Sequence, residues 1–170
     1  MNLQIEICSE RELPSIQRAK LEEWFEQEFG HVPYQWATPA WYMLARVDSV
    51  LVSRLGIVER VVAVDKQSIR VAGISGVITH PEWRGRKIGS AVLNKAVEFI
   101  KDELGAEFAL LLCRQEVTPV YARLGWKIVN GPTTFWQPGG KLTYPKLTMV
   151  FECGQQSWPT RPIDLGGLPW

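Results

Sequence analysis

The sequence predicts an α+β fold in which a mixed, mostly antiparallel sheet of about seven strands is flanked by helices. Three observations carry this. Residues 41–79 read as three long strands joined by two turns, Asp48-Ser49 and Asp65-Lys66-Gln67, and so form antiparallel hairpins. Residues 71–93 pass from a β-branched apolar run through Pro81 and a basic loop into a helical pattern, the order strand, turn, helix. Phe108-Ala109-Leu110-Leu111-Leu112 is a continuous apolar run of strand length, as expected of a central strand covered on both faces.

Taken in order, Leu3, Ile5 and Ile7 alternate with polar residues at strand period. A helix follows, capped by Ser9 or Glu10, with Pro14 in its first turn and an apolar face running from Ile16 through Leu21, Trp24 and Phe25 to Phe29. Trp24 and Phe25 are expected in the core. Residues 31–38 form a loop with two prolines in or next to it, and its aromatics Tyr34 and Trp36 join no periodic face. They are either a lid over a site or a plug between helix and sheet. In the long strand 50–64, Gly56 marks a bulge.

From Ser90 onward, Leu93, Ala96, Val97, Ile100 and Leu104 fall three or four apart, giving an amphipathic helix ended by Gly105. A shorter helix covers 119–124, Gly125 closes it, and a strand begins at Trp126. Residues 147–152 are the last clear strand. Residues 154–170 carry Trp158, Ile163, Leu165, Leu168 and Trp170, too apolar for a solvated end. One domain over 1–153 is expected, with the tail packing back on it.

Composition excludes several functions. The 19 Lys and Arg against 18 Asp and Glu leave +1, so no global field draws nucleic acid or a membrane, and any anion must meet a local patch. Arg84, Arg86 and Lys87 are that patch. They stand beside a helix N-terminus, whose unpaired N–H groups and partial positive charge suit a phosphate or pyrophosphate. Cys8, Cys113 and Cys153 are odd in number and widely spaced, against both a disulfide framework and a zinc site, so no metal is expected. The opening residues lack a basic and apolar signal pattern, and no apolar run reaches the roughly 18 residues of a span, so a cytoplasmic location is expected.

The segment His80-Pro81-Glu82-Trp83-Arg84-Gly85-Arg86-Lys87-Ile88-Gly89-Ser90-Ala91, followed about 30 residues later by Tyr121-Ala122-Arg123-Leu124-Gly125-Trp126, resembles the GCN5-related N-acetyltransferase superfamily. The resemblance covers roughly residues 3–152. It implies a sheet whose central strands splay apart, with acetyl-coenzyme A in the opening and its pyrophosphate on Arg84, Gly85, Arg86, Lys87, Ile88, Gly89 and Ser90. Val77, Ile78 and Thr79 would be the strand edge that meets the pantetheine arm, with an amide there polarising the thioester carbonyl. Lys87 stands where the family's middle glycine is usual, which ordinary helical dihedrals would allow. Tyr121 matches the family tyrosine that protonates the coenzyme A sulfur, although a core tyrosine at a helix end would look the same.

An alkylamine with a pKa near 10.4 must lose a proton before attack, at a cost of about 4.6 kcal/mol at pH 7, so a base or a water chain helps. Within the superfamily the chain is similar to the aminoglycoside 2'-N-acetyltransferases at Trp83-Arg84-Gly85, at Gly125-Trp126 followed by Gly131-Pro132-Thr133-Thr134, and in ending on Trp170. That likeness implies that Gln35, Ser75 and the terminal region with Trp170 meet the acceptor; Trp36, in the aromatic loop, and Asp164, a carboxylate near the expected pocket, are further acceptor-side candidates. Ser75 stands where those enzymes carry a glutamate base, and Gln35 where they carry an acidic residue. Glu59 is either a substitute base or a solvated strand residue paired with Arg60. Cys113 is either a structural thiol or close enough to the acetyl group for a covalent role, and His31 is an acceptor-side candidate.

Eight tryptophans suggest an aromatic-walled pocket for an amine on a ring or apolar body. The expected activity is transfer of acetyl from acetyl-coenzyme A to a primary amine of a small molecule by direct attack. A homodimer is left open. The rival is a non-catalytic coenzyme A-binding module kept for sensing or scaffolding.

Overall fold

The hairpins of residues 41–79 form the centre of the fold. In the computed structural model, which describes residues 2–170, strands β2 (Trp41–Val47) and β3 (Val50–Val64) turn at Asp48 and Ser49, whose φ angles of 47° and 70° make the primed geometry that matches strand twist. Asp65, at φ 56°, leads β3 into β4 (Gln67–Thr79). At the other side β1 (Leu3–Ser9) pairs antiparallel with β2, Leu3 opposite Val47.

The crossover from β4 is α2 (Ile88–Phe99), continued by a π-helical turn over Ile100–Leu104 and ended by Gly105 at φ 64°. It delivers β5 (Phe108–Cys113), which pairs parallel with β4 only from Val71 to Ile74. After α3 (Thr118–Arg123), β6 (Lys127–Ile128) and β9 (Leu147–Glu152) extend the sheet antiparallel beyond β5. On the opposite side β10 (Ile163–Asp164) lies between the end of β3 and β7 (Thr133–Gln137), and β8 (Gly140–Thr143) forms the edge. Among the described residues the sheet has ten strands rather than about seven, and the additional ones are β7, β8 and β10, each five residues or fewer.

Strand alternation sorts the core into two faces. Ala109 and Leu111 join Met43, Ile57, Leu93 and Ile100 beneath α2. Phe108 and Leu110 join Val58, Phe135, Leu165 and Trp170 beneath the C-terminal segment. Helix α1 (Ser15–Phe29) covers the rest of that second face through Leu21 and Trp24, which pack on Tyr42, Leu44 and Ile78. Trp158, Ile163, Leu165 and Trp170 of the C-terminal segment are buried in this second face, and none of the described helices is long and apolar enough to cross a membrane.

Three local expectations are corrected. Ser9 does not cap α1: it starts a separate 3₁₀ turn (Glu10–Glu12), where its N–H and hydroxyl donate to Glu12 Oε2 at 2.9 and 2.8 Å. Pro14, with φ −59° and no N–H to leave unpaired, precedes α1 instead of entering its first turn. Gly56 is not the bulge either. Gly56 faces Ser75 while Arg54 faces Ile78, so the extra residue lies on β4, at Gly76 and Val77, with Gly76 at φ 54°. Gly56 must be small because a Cβ there would lie 2.5 Å from Pro39 Cγ.

Candidate active site

β4 and β5 part after Ile74 and Leu111. Among the described residues no strand pairs with the edge of β4 beyond that point, and a cavity of about 340 Å³ opens in the gap. Gly76 and Val77 from β4 and Leu112 and Cys113 from β5 form its base. Phe25 and Glu28 come from α1, Tyr34 and Trp36 from the loop after it, and Tyr121 from α3. Tyr144 and Lys146, from the approach to β9, and Trp170 complete the part that matters here.

Trp170 closes the floor because Gly73 lets it. An ideal Cβ on Gly73 would sit 2.1 Å from the indole ring, whose N–H donates to the Leu110 carbonyl at 3.3 Å. The Arg60 guanidinium lies 5.3 Å from the same ring's centroid. The loop 31–38 is a wall rather than a free strap: Trp36 meets Phe25 edge-on at 5.7 Å, and Tyr34 meets Phe135 at 5.1 Å. Gln35 is exposed and off the cavity wall, and its backbone N–H and carbonyl are both held by the Gln137 amide, at 2.8 and 3.0 Å.

The basic loop leaves the end of β4 and runs into α2. Gly85 and Lys87 both have left-handed backbone, at φ 75° and 60°. The expectation of helical dihedrals at Lys87 is therefore overturned: a residue with a Cβ occupies the conformation that glycine takes cheaply. Gly89 passes so close to β4 that a Cβ would meet Thr79 Oγ1 at 3.1 Å, and that hydroxyl is bonded to Ser53 Oγ at 2.9 Å. Arg84 donates from Nε to the Thr79 carbonyl at 3.0 Å and from Nη2 to Glu28 Oε2 at 2.6 Å. Arg86 covers the Trp83 ring at 4.8 Å. Ile88 is buried, as is Ile78 against α1, and Ser90 is half-buried.

Burial sets the chemistry of the wall. Desolvation pushes the Tyr121 phenol up to about 12, with a smaller push from Cys113, and Tyr144 rises to about 12 for the same reasons. Cys113 is pushed up to about 11 by burial, so it is a thiol and not a nucleophilic thiolate at neutral pH. Behind Gly76 and Phe25 lies Arg54, 4% exposed, donating to the Leu21 carbonyl at 3.3 Å while its Nε and Nη1 have no partner. Burial lowers its guanidinium to about 10, which leaves it charged at neutral pH.

The structure brings Tyr121, Val77, Trp36 and Trp170 to one cavity and leaves other predicted residues outside it. Glu59 is engaged elsewhere, accepting from Trp41 Nε1 at 3.2 Å and from Arg70 Nη2 at 3.0 Å. Asp164 accepts from Lys141 at 2.5 Å and from the Gly166 N–H at 2.9 Å. Ser75 is buried opposite Gly56, and His31 is exposed off the wall. Sequence reasoning missed Glu28, Arg54, Gly76, Arg114, Tyr144 and Lys146. Only Glu28 had a signal, three residues after Phe25 and so on the same helix face.

A family model described as an acetyltransferase (GNAT) domain matches residues 15–129. Among solved structures, ElaA of Escherichia coli superposes with a TM-score of 0.66 at 19% identity, covering 89% of this chain and 100% of that one. An acyl-CoA N-acyltransferase from Pseudomonas aeruginosa gives 0.63 at 15%, covering 88% and 99%. The GNAT family N-acetyltransferase YhbS from Escherichia coli, in complex with CoA, gives 0.62 at 14%, covering 96% and 89%. Identities this low establish a common fold, and nothing in them supports the aminoglycoside 2'-N-acetyltransferase likeness. The family match takes in α1, the parted strands, the basic loop and Tyr121, and with it the chain belongs to the GNAT acetyltransferase domain family, as an N-acetyltransferase that uses acetyl-coenzyme A.

Proposed function

We propose that the gap between β4 and β5 is the transfer site, and that the acceptor is a primary amine on a small molecule with an apolar body. The observation that carries this is the meeting of an unpaired strand edge and a buried phenol, Tyr121, in one aromatic-walled cavity. The chain fits acetyl-coenzyme A. The β4 edge beyond Ile74 has backbone groups to offer, and the loop from Arg84 to Ser90 brings cations and the N-terminus of α2 to its end. When bound, acetyl-coenzyme A supplies the acetyl group as an activated thioester.

Val77, Ile78 and Thr79 offer backbone groups along the strand, and a backbone N–H near the bulge is suited to hold a carbonyl oxygen as it gains charge. Tyr121 holds a proton at Oη that a departing thiolate can take; with its pKa near 12 the phenol is fully protonated at neutral pH. The aromatic walls exclude water and orient the amine for direct attack. Among the described residues no free side-chain carboxylate on the wall stands ready as base, since Glu28 is the one that lines it and Arg84 holds it. An aminoglycoside-like polycation gains nothing from such a wall. Residues 154–170 belong to the same working unit, because Trp170 forms part of the cavity.

Release of free thiol from acetyl-coenzyme A, followed across a panel of arylalkyl and alkyl amines, tests the assignment. Amine-dependent release is expected. Binding of coenzyme A without release by any amine would leave the non-catalytic module as the better account.

A further inference from the structure

We propose that this cavity recognises an anionic group on its acceptor, so that the preferred substrate is an amine on an apolar body that also carries a carboxylate. The proposal rests on the transfer-site reading and adds the acceptor's charge. Arg114 and Lys146 both line the cavity, both are exposed, and neither makes an ion pair among the described residues. The lining's one side-chain carboxylate among the described residues, Glu28, is spent on Arg84 at 2.6 Å. One layer behind the wall is a further cation without a counter-ion: Arg54 Nη1 would lie 2.8 Å from a Cβ on Gly76, and it has no hydrogen-bond partner. Tyr42 and Glu22 are the ionisable groups nearest in effect to Arg54; Tyr42 is a neutral phenol and Glu22 is exposed to solvent.

The unpaired side-chain charge at the cavity is therefore positive, with Arg114 and Lys146 on its solvent-exposed side and Arg54 buried behind the wall. Such a cavity repels a second ammonium and attracts a carboxylate, and a guanidinium can take that carboxylate through two parallel N–H groups. Arg114 directly follows Cys113 at the end of β5 and lines the same cavity as Tyr121 and Tyr144. Surrounding cations also disfavour the protonated amine, so the acceptor gives up its proton more readily here than in water. The lack of a free side-chain carboxylate base on the wall among the described residues then has a physical counterpart.

Equilibrium titration separates these ideas from turnover. Trp36 and Trp170 line the cavity and report occupancy by intrinsic fluorescence. With coenzyme A saturating, phenylacetate is expected to bind at least tenfold more tightly than phenethylamine. Arg114→Gln with Lys146→Gln should abolish that preference while changing coenzyme A affinity less than twofold. Equal or tighter binding of phenethylamine would overturn the proposal, as would a double variant that weakens coenzyme A and leaves phenylacetate untouched. If phenylacetate binds as expected and no amine supports thiol release, the transfer-site reading fails and the anion site stands. If phenethylamine is acetylated at least as efficiently as phenylalanine, the transfer site stands and the anion site fails.

Discussion

A double-mutant cycle between Gly73 and Trp170 tests the architecture of the cavity floor. Trp170 is 3% exposed, and replacing a buried Trp by Ala costs about 3–5 kcal/mol. For a chain of this size each kcal/mol moves Tm by about 2–4 °C, so Trp170→Ala should lower Tm by roughly 6–20 °C. Gly73→Ala puts a methyl group 2.1, 2.3 and 2.4 Å from three indole atoms, on a ring already tied to the Leu110 carbonyl. Overpacking of that kind costs about 1–3 kcal/mol. Without the ring the same methyl group meets no indole, and Ala in a strand interior gains roughly 0.5–1 kcal/mol over Gly. Gly73→Ala should thus destabilise the native protein and stabilise Trp170→Ala, a coupling of about 1.5–4 kcal/mol in urea unfolding followed by circular dichroism. An equal cost in both backgrounds would refute the placement of the ring on Gly73.

Other outcomes follow from the wall and the loop. Tyr121→Phe should lower kcat by about 10²-fold or more in thiol-release assays and leave coenzyme A affinity unchanged; unaltered turnover removes the acid role. Lys87→Gly relieves a left-handed lysine at φ 60° and should raise stability by about 0.5–1 kcal/mol, read in a denaturant melt without ligand; a loss would mean that Lys87 makes a compensating contact. Glu28→Gln frees Arg84, so acetyl-coenzyme A should bind about two- to fivefold more tightly by calorimetry, and weaker binding would show that the ion pair does not compete with the phosphates. Tyr121 and Tyr144 are raised to about 12, and Cys113 and Cys153 to about 11, by burial. Raised values hold their stabilisation fully at pH below the ordinary thiol and phenol range and lose it as pH climbs through 11 and 12; Tm should fall across that alkaline window, and a flat profile would contradict the burial.

The sheet's centre was legible because its residues obey local rules. Trp41–Val47 and Val50–Val64 are bounded by turn residues that must take positive φ, and Phe108–Cys113 is apolar at every position through Leu112. The edge was not. Thr133–Gln137 and Gly140–Thr143 are short and mostly polar, and Ile163–Asp164 is a two-residue strand held by partners far away in sequence, Val64 and Thr133. The basic loop could be read because its glycines and cations are contiguous. Lys87 could not, since its dihedrals depend on where Gly89 must pass Thr79. Glu59 misled because strand period gives the face of a residue but not its partners, here Trp41 and Arg70.

On the proposed reading, the cofactor side of the site lies within the segment that the family model matches. The parted strands, the loop before α2 and Tyr121 all fall within residues 15–129. The bulge at Gly76 does the parting: an extra residue on β4 bends it, and pairing with β5 ends two residues earlier, at Ile74. Gly76 also makes room for Arg54, whose Nη1 a side chain there would meet at 2.8 Å, so the feature that opens the sheet also seats a cation beside the opening. Tyr144, Lys146 and Trp170 lie outside the matched segment, yet they complete the cavity wall. On the proposed reading the choice of amine therefore rests on residues both inside the matched segment, Arg54 and Arg114, and outside it, Lys146. A substitution such as Lys146→Gln should accordingly change which amines react without changing how acetyl-coenzyme A is held.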